Sequence, residues 1–344
     1  MTATEEPSAG GAPSPPLTIA QLAELAGVST ATVSKVVNGR TEVAPETRAL
    51  IERLIREHGY RPQRRVNPAA LVELVFHALE GDYPIEIAKG VEQVARDHQL
   101  AVVLSELQHR HIPGKGWIEG VLSRRPTGVI AVFSGLTEDQ RDQLATRGVP
   151  LVLLDPLDDP GTQASVGASN WNGGLAATRH LLELGHRRIA VITGPDFALS
   201  SRARLDGYRT ALDMAGVPAD PALIGRGDFL TEGGLAQAHR LLRLPDPPTA
   251  IFTCNDGQAM GVYRAAHQLG LRVPADLSVV GFDDLPPARW MTPPLTTIRQ
   301  PLAEMAAAAT TMLLQLAQGE PLTRPRIELG VELVVRESTA PPAR

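Results

Sequence analysis

Cysteine is nearly absent: Cys254 is the one thiol in 344 residues. A single thiol cannot close an internal disulfide, and no cluster of Cys and His has the spacing of a metal framework. Its place in the apolar run TAIFTC predicts a buried small side chain. Long apolar runs are absent too, none approaching the ~18 to 20 residues that a membrane-spanning helix needs. The opening stretch MTATEEPSAGGAPSPP has neither a basic n-region nor an apolar h-region. Residues 1 to 16 therefore read as a disordered tail rather than a signal peptide, and a cytoplasmic protein is expected. No Ser/His/Asp arrangement or metal-ligand spacing marks a catalytic centre, and His186 in LGHRR reads as structural. Nor is there an excess of positive charge: the formal net charge is -5.

What is present describes a globular chain, 43% hydrophobic and 21% charged, long enough for two or three domains. The charge is unevenly divided. Residues 17 to 65 carry eight Lys/Arg and five acids, a local +3, which leaves -8 for the remainder. A small basic head on an acidic body is the pattern expected of a protein that meets nucleic acid through one segment.

The head has a helical pattern. In LTIAQLAELAG the apolar positions Ile19, Leu22, Ala23 and Ala26 share one face, and Thr18 with Gln21 has capping-box spacing. After Gly27, the run STATVSKVVNG places Val33, Val36 and Val37 on one face and Ala31, Ser34, Lys35 and Asn38 on the other. Two short helices joined through a glycine turn match a helix-turn-helix unit. A third helix is expected from Pro45 to Gly59, with Leu50, Ile51, Leu54 and Ile55 closing the core. The short hydroxyl-bearing side chains of the second helix would let its backbone approach phosphates and base edges in the major groove.

Past YRPQRRVNP the pattern becomes alternating strand and helix. One series runs through LVELVFHAL, LAVVLS, GVIAVF and VPLVLLD. A second runs from SVGAS through RIAVIT and TAIFT to LSVVGFDD. Such alternation predicts an α/β body of parallel sheets covered by helices, in two lobes with a cleft between them. Ligands of open α/β sheets sit beyond the carboxyl ends of strands. The polar residues there are Asp155, Asn255, Asp256, Asp283 and Asp284, with Arg202 and Arg204 opening a helix after RIAVITGP. A guanidinium, carboxylates and an amide suit vicinal hydroxyls, and Tyr83, Trp171 and Phe229 are candidates for stacking on a sugar face. The same residue types also cap helices and form turns.

LTIAQLAELAGVSTATVSKVVNG with VAPETRALIERLIREHGYRP resembles the DNA-binding head of the lactose-repressor family of bacterial transcription regulators. HLLELGHRRIAVITGP, SRARLDGY, CNDGQAMGVYRAA, LSVVGFDD and PPLTTIRQPLAEMA are similar to the family's two-lobed, periplasmic-binding-protein-like core. The resemblance covers about residues 17 to 338. It implies a helix-turn-helix domain over 17 to 62, a linker over 63 to 70, an effector-binding and dimerisation core over 71 to 338, and a tail over 339 to 344. It further implies that Thr30, Ala31 and Lys35 face base edges, while Thr18, Ser29, Thr32, Ser34, Asn38 and Thr47 contact phosphates. Arg204, Asn255 and Asp283 match the family's polar effector ligands, and Asp155 and Phe229 match a cleft carboxylate and a stacking aromatic. Tyr83 and Trp171 lie near pocket positions but match no fixed residue.

Two departures from the family qualify the reading. Between Tyr60 and the first core strand the family usually has a hinge helix of the type N-x-x-A-x-x-L, and the segment here, with QRRVNPAAL, is several residues shorter, so a regular hinge with a minor-groove leucine is not expected, and Leu71 is equally placed to begin a strand. No leucine heptad precedes ESTAPPAR, so a homodimer is expected rather than a tetramer. The function implied is a sequence-specific repressor of carbohydrate-utilisation genes, binding double-stranded operator DNA and controlled by a mono- or oligosaccharide in the cleft, with no cofactor. The rival readings are a stand-alone sugar-binding module and a glycoside-acting enzyme using Asp155 and Asp283.

Overall fold

The computed structural model describes residues 18–37, 42–58, 60, 69–107 and 111–343. Among these, the head helices are α1 (Ile19–Ala26), α2 (Thr30–Val37) and α3 (Pro45–Glu57). There follow β1 (Ala69–Phe76), α4 (Tyr83–Asp97), β2 (Ala101–Glu106), α5 (Lys115–Arg124), β3 (Pro126–Val132), α6 (Glu138–Thr146), β4 (Leu151–Leu154) and β5 (Ser165–Ala168). The chain continues through α7 (Asn170–Glu183), β6 (Ile189–Thr193), α8 (Leu199–Met214), β7 (Ile224–Arg226), α9 (Thr231–Leu242), β8 (Ala250–Thr253) and α10 (Asp256–Gln268). It ends with β9 (Ser278–Asp283), β10 (Thr296–Arg299), α11 (Leu302–Gln318), β11 (Arg326–Leu329) and β12 (Glu332–Val334). Two compact units divide it: residues 1–67 with 138–149, and residues 68–137 with 150–344.

In the first unit the head helices form as their apolar spacing requires. Thr18 and Gln21 make the reciprocal capping box, the Gln21 N–H donating to the Thr18 hydroxyl and the Thr18 N–H to Gln21 Oε1 at 2.8 Å. Gly27 ends α1 at φ 65°, where a side chain would be strained, and so turns the chain toward α2. Leu22, Ala23, Val33, Val36, Val37, Ile51 and Ile55 bury together with Val43 and Tyr60. Leu54 packs against this cluster partly buried, whereas Leu50 is half-buried and stays out of it. Residues 63 to 68 of the linker lie outside the described residues, whereas Ala69 and Ala70, assigned to the linker from sequence, begin β1 and Leu71 sits inside it.

The second unit holds two six-stranded sheets, ordered β11-β5-β4-β3-β1-β2 and β12-β10-β9-β8-β6-β7. In each, five strands repeat one doubly wound parallel pattern, with the order reversing between β1 and β3 and between β6 and β8. The central strands β3, β4, β8 and β9 are buried almost throughout, as two helical layers demand. The βα alternation places SVGAS in the second series. It is instead β5, paired with β4 and β11 in the first sheet. The chain passes between lobes after β5, after β10 and after β11. Helix α11 therefore returns to the first lobe, where Met305, Ala306, Ala309, Met312 and Leu313 join its core. One pairing is not parallel: β12 follows β11 without a crossover helix and runs antiparallel to β10.

His186 is structural, buried between Thr249 Oγ1 at 2.8 Å, Ser278 Oγ at 3.1 Å and the Ala340 carbonyl at 2.9 Å. Residues 339 and 340, assigned to a tail from sequence, are thus tied into the second lobe. Cys254 is a buried free thiol, and burial pushes its pKa up to about 12. Among the described residues no helix is long and apolar enough to cross a membrane.

Candidate functional site

Two surfaces answer to the residues singled out in the sequence. On the head, Ser29 caps α2: its Oγ accepts the Thr32 N–H at 3.1 Å and lies 2.9 Å from Thr32 Oγ1. Thr30, Ala31 and Lys35 are exposed on α2, with Thr32 and Ser34 half-buried beside them. Thr18 is engaged in its capping box, Thr47 lies half-buried in the first turns of α3, and Asn38 lies outside the described residues. Lys35 donates from Nζ to Glu42 Oε2 at 2.8 Å, both side chains being largely exposed. An exposed pair of this kind is worth about 0 to 1 kcal/mol. A phosphate or base edge can therefore displace Glu42 at small cost.

The second surface is a cavity of about 600 Å³ in the second unit, walled by both lobes. Several of its lining residues stand where strands end: Phe76 and His77 at β1, Phe133 after β3, Asp155 after β4, Asn255 after β8 and Asp283 at the end of β9. Phe133, Asp155, Phe229 and Asp283 hold positive φ values of 45°, 50°, 69° and 112°. Few non-glycine residues adopt such conformations, phenylalanine least readily of these, and concentrations of them are found at ligand-holding sites.

Arg204 is 3% exposed and lies in the second turn of α8, not at its start as the sequence suggested. Its Nε donates to Asn170 Oδ1 at 2.8 Å and its Nη1 to the Cys254 carbonyl, with Asp283 Oδ1 3.8 Å away. The guanidinium carbon lies 3.7 Å from the Phe282 ring centroid and 5.8 Å from that of Phe229. This placement needs α7 and α8 to touch backbone to backbone. Gly174 and Gly207 permit it, since an added Cβ would collide with the Arg204 carbonyl oxygen at the first and with that of Trp171 at the second.

Gln300 donates to Asp283 Oδ1 at 2.6 Å. Burial pushes the Asp283 pKa up to about 7, against the opposing pull of Arg204. Asp155 is raised for the same reason, and Tyr83 donates its hydroxyl to Asp155 Oδ2 at 3.4 Å. Tyr83 is itself raised well above the tyrosine range, by burial first and then by Asp155. Asn255 lines the cavity, but its side chain bonds within the protein. Oδ1 caps α10 through the Gln258 N–H at 2.8 Å, and Nδ2 donates to the Phe229 carbonyl at 2.8 Å, fixing that ring in its strained backbone. Asp256 and Asp284 are structural: the first accepts from Thr297 Oγ1 and the Leu285 N–H, the second pairs with Arg299 and Arg336.

Six of the seven expected effector residues therefore line the cavity: Tyr83, Asp155, Arg204, Phe229, Asn255 and Asp283. Trp171 does not. It is 41% exposed at the start of α7 and stands apart from the lining. Apart from Phe229 and Tyr83, the aromatic wall comes from residues that the sequence alone does not single out. The His77 and His111 rings stack at 4.8 Å, His111 meets Phe197 at 4.6 Å, and Phe133 meets Phe229 edge-on at 5.7 Å. His77 and Phe133 directly follow β1 and β3, so the strand-end rule that selects Asp155 also points to them. Gln300 follows β10, a strand that the βα alternation does not assign.

The description "Bacterial regulatory proteins, lacI family" matches residues 18–63, and "Periplasmic binding protein-like domain" matches residues 178–339. The chain is 32% identical over 327 residues to the HTH-type transcriptional repressor PurR of Pasteurella multocida (strain Pm70), covering 93% of this chain and 98% of the relative. Among solved structures, a transcriptional regulator CelR–cellobiose complex is 34% identical with a TM-score of 0.71, covering 94% of this chain and 99% of that one. A lac repressor dimer bound to operator and the anti-inducer ONPF is 32% identical with a TM-score of 0.70, covering 95% and 100%.

Proposed function

Because the chain belongs to the lacI family of bacterial regulatory proteins, we propose that this transcriptional repressor controls carbohydrate-utilisation genes and that a mono- or oligosaccharide between its lobes sets its affinity for operator DNA. The observation that carries the ligand class is the buried Arg204 and Asp283 pair beside Asp155, facing the ring of Phe229. Carboxylates accept from sugar hydroxyls, a guanidinium donates to them, and an aromatic face packs on the apolar face of a pyranose.

On this reading the head binds as one half of a homodimer, in the cytoplasm. Thr30, Ala31 and Lys35 read bases, while Thr18, Ser29, Thr32, Ser34, Asn38 and Thr47 hold phosphates. Asp155, Arg204 and Asp283 bind the sugar, Tyr83 orients Asp155, and Asn255 acts through Phe229. The cleft binds and does not cleave on this reading, which the similarity to repressors along nearly the whole chain supports. A ligand moves a two-state equilibrium only by its different affinities for the states, so a ligand gripped by both lobes favours one lobe arrangement over the other.

The test is operator retention by the full-length protein, monitored by fluorescence anisotropy, across a panel of sugars first ranked by thermal stabilisation. The expected result is one sugar class that raises the melting temperature and shifts operator affinity. Stabilisation by nucleobases alone would replace the saccharide reading, and release of sugar from glycosides would replace the non-enzymatic one.

A further inference from the structure

The charge of the cavity wall goes beyond what a neutral sugar requires. Four acids, Glu80, Asp82, Asp228 and Glu232, line it besides Asp155, Asp256 and Asp283, whose burial favours their neutral forms, and Arg204 is the one Lys or Arg among the described lining residues. That guanidinium is already committed to Asn170, the Cys254 carbonyl and Asp283. The lining thus sets a surplus of carboxylates against one committed cation.

Two buried acceptors point the same way. Gln300 is 4% exposed, and its Oε1 has no hydrogen-bond partner in the protein, its amide nitrogen being held by Asp283. Asp155 is 6% exposed, and its hydrogen bond from Tyr83 is long, at 3.4 Å. Buried acceptors without good donors are costly, and a ligand that supplies donors relieves them. Phe133, Phe197 and Phe229 line the same cavity, and an aromatic face attracts a cation through its quadrupole.

An ammonium group brings three donors and no acceptor, so it satisfies buried acceptors without presenting lone pairs to the carboxylates. From these features we infer that the effector carries a protonated amine on its sugar ring, that is, an amino sugar. The inference rests on the saccharide reading of the cleft and narrows it. It also excludes phosphorylated and carboxylated sugars, whose charge the wall repels.

The experiment measures binding to the full-length protein at pH 7 by calorimetry. The probes are glucosamine, galactosamine and mannosamine, each against its neutral parent hexose and its N-acetyl derivative, with glucose 6-phosphate as the anion. The expected result is that at least one amine binds ten-fold or more tightly than both its parent and its N-acetyl form, with no binding of the phosphate. In the double variant Glu80→Gln, Asp82→Asn that preference should fall toward unity. A neutral hexose binding as tightly as its amine, or a preference untouched in the double variant, overturns the inference while leaving the saccharide reading standing. Failure of every sugar in this panel to bind overturns the inference, and only failure of the wider sugar panel in the thermal-stabilisation test overturns the saccharide reading with it.

Discussion

Arg204→Ala removes the one guanidinium among the described lining residues of the cleft and leaves a buried carboxylate without its cation. The arginine side chain is 3% exposed and sits 3.8 Å from Asp283, so its loss strands that carboxylate rather than returning it to water. Breaking a buried pair by removing one partner costs about 3 to 5 kcal/mol, and each kcal/mol lowers the melting temperature of a domain of about 150 to 250 residues by about 2 to 4 °C, the upper bound for this longer chain. A fall on the order of 10 °C is expected at pH 8. The loss should depend on pH, because Asp283 can take up a proton. In the intact protein its pKa stands at about 7 against 3.8 for a free carboxyl. The folded state therefore binds the extra proton between about pH 4 and 7, and this carboxyl lowers stability as pH rises through that window. Removing Arg204, which pulls the pKa down, extends the window upward. The gap between variant and parent should thus be smaller at pH 6 than at pH 8, and Asp283→Asn in the Arg204→Ala background should restore stability at pH 8. Melting curves of the parent, both single variants and the double variant at both pH values test this. An equal gap at pH 6 and 8, or no rescue by Asp283→Asn, would refute the claim that a stranded carboxylate is the cause.

Three other outcomes rest on particular contacts. Lys35→Ala should weaken operator binding by about ten-fold or more if Lys35 makes a good base contact worth ~1 to 3 kcal/mol, with little change in melting temperature because its pair with Glu42 is exposed. Unchanged anisotropy titrations would remove Lys35 from the interface. Glu42→Gln should act oppositely, tightening operator binding modestly by freeing Lys35, and weaker binding by that variant would contradict the displacement described for the pair. Gly174→Ala inserts a methyl into the α7–α8 contact at the Arg204 carbonyl, and overpacking of this kind costs about 1 to 3 kcal/mol. Its melting temperature should fall and its ligand affinity with it, whereas an unchanged melting curve would show that the two helices can separate freely.

How much of the fold and cleft is legible in the sequence depends on how local the signal is. The head is readable because capping, the Gly27 turn and the valine stripe of α2 are decided within a few residues, and local rules choose the same answer as the packed structure. The βα alternation is readable for the same reason. Assigning β5 to the second lobe fails because a strand's sheet is fixed by non-local pairing, here with β4 and β11, and SVGAS carries no mark of either. Helix α11 escapes notice as an element of the first lobe for a related reason: its partners lie over a hundred residues earlier in the chain, in α4, β3 and β4. In the cleft, Asp155 and Asp283 stand out because a polar residue closing an apolar strand is conspicuous. Phe133 does not, because it closes its strand as one more apolar residue, and only its φ of 45° sets it apart.

Asn255 illustrates what a strand-end position does not decide. Its sequence setting supports a ligand contact and a helix cap equally. In the structure its oxygen takes the cap and its nitrogen takes the Phe229 carbonyl. The amide therefore joins the start of α10 in the second lobe to the residue whose ring meets Phe133 of the first. Both polar atoms of Asn255 are thus spent inside the protein, so its part in the cleft is to hold the backbone of Phe229, at a φ of 69° that phenylalanine seldom adopts, and not to face a ligand itself.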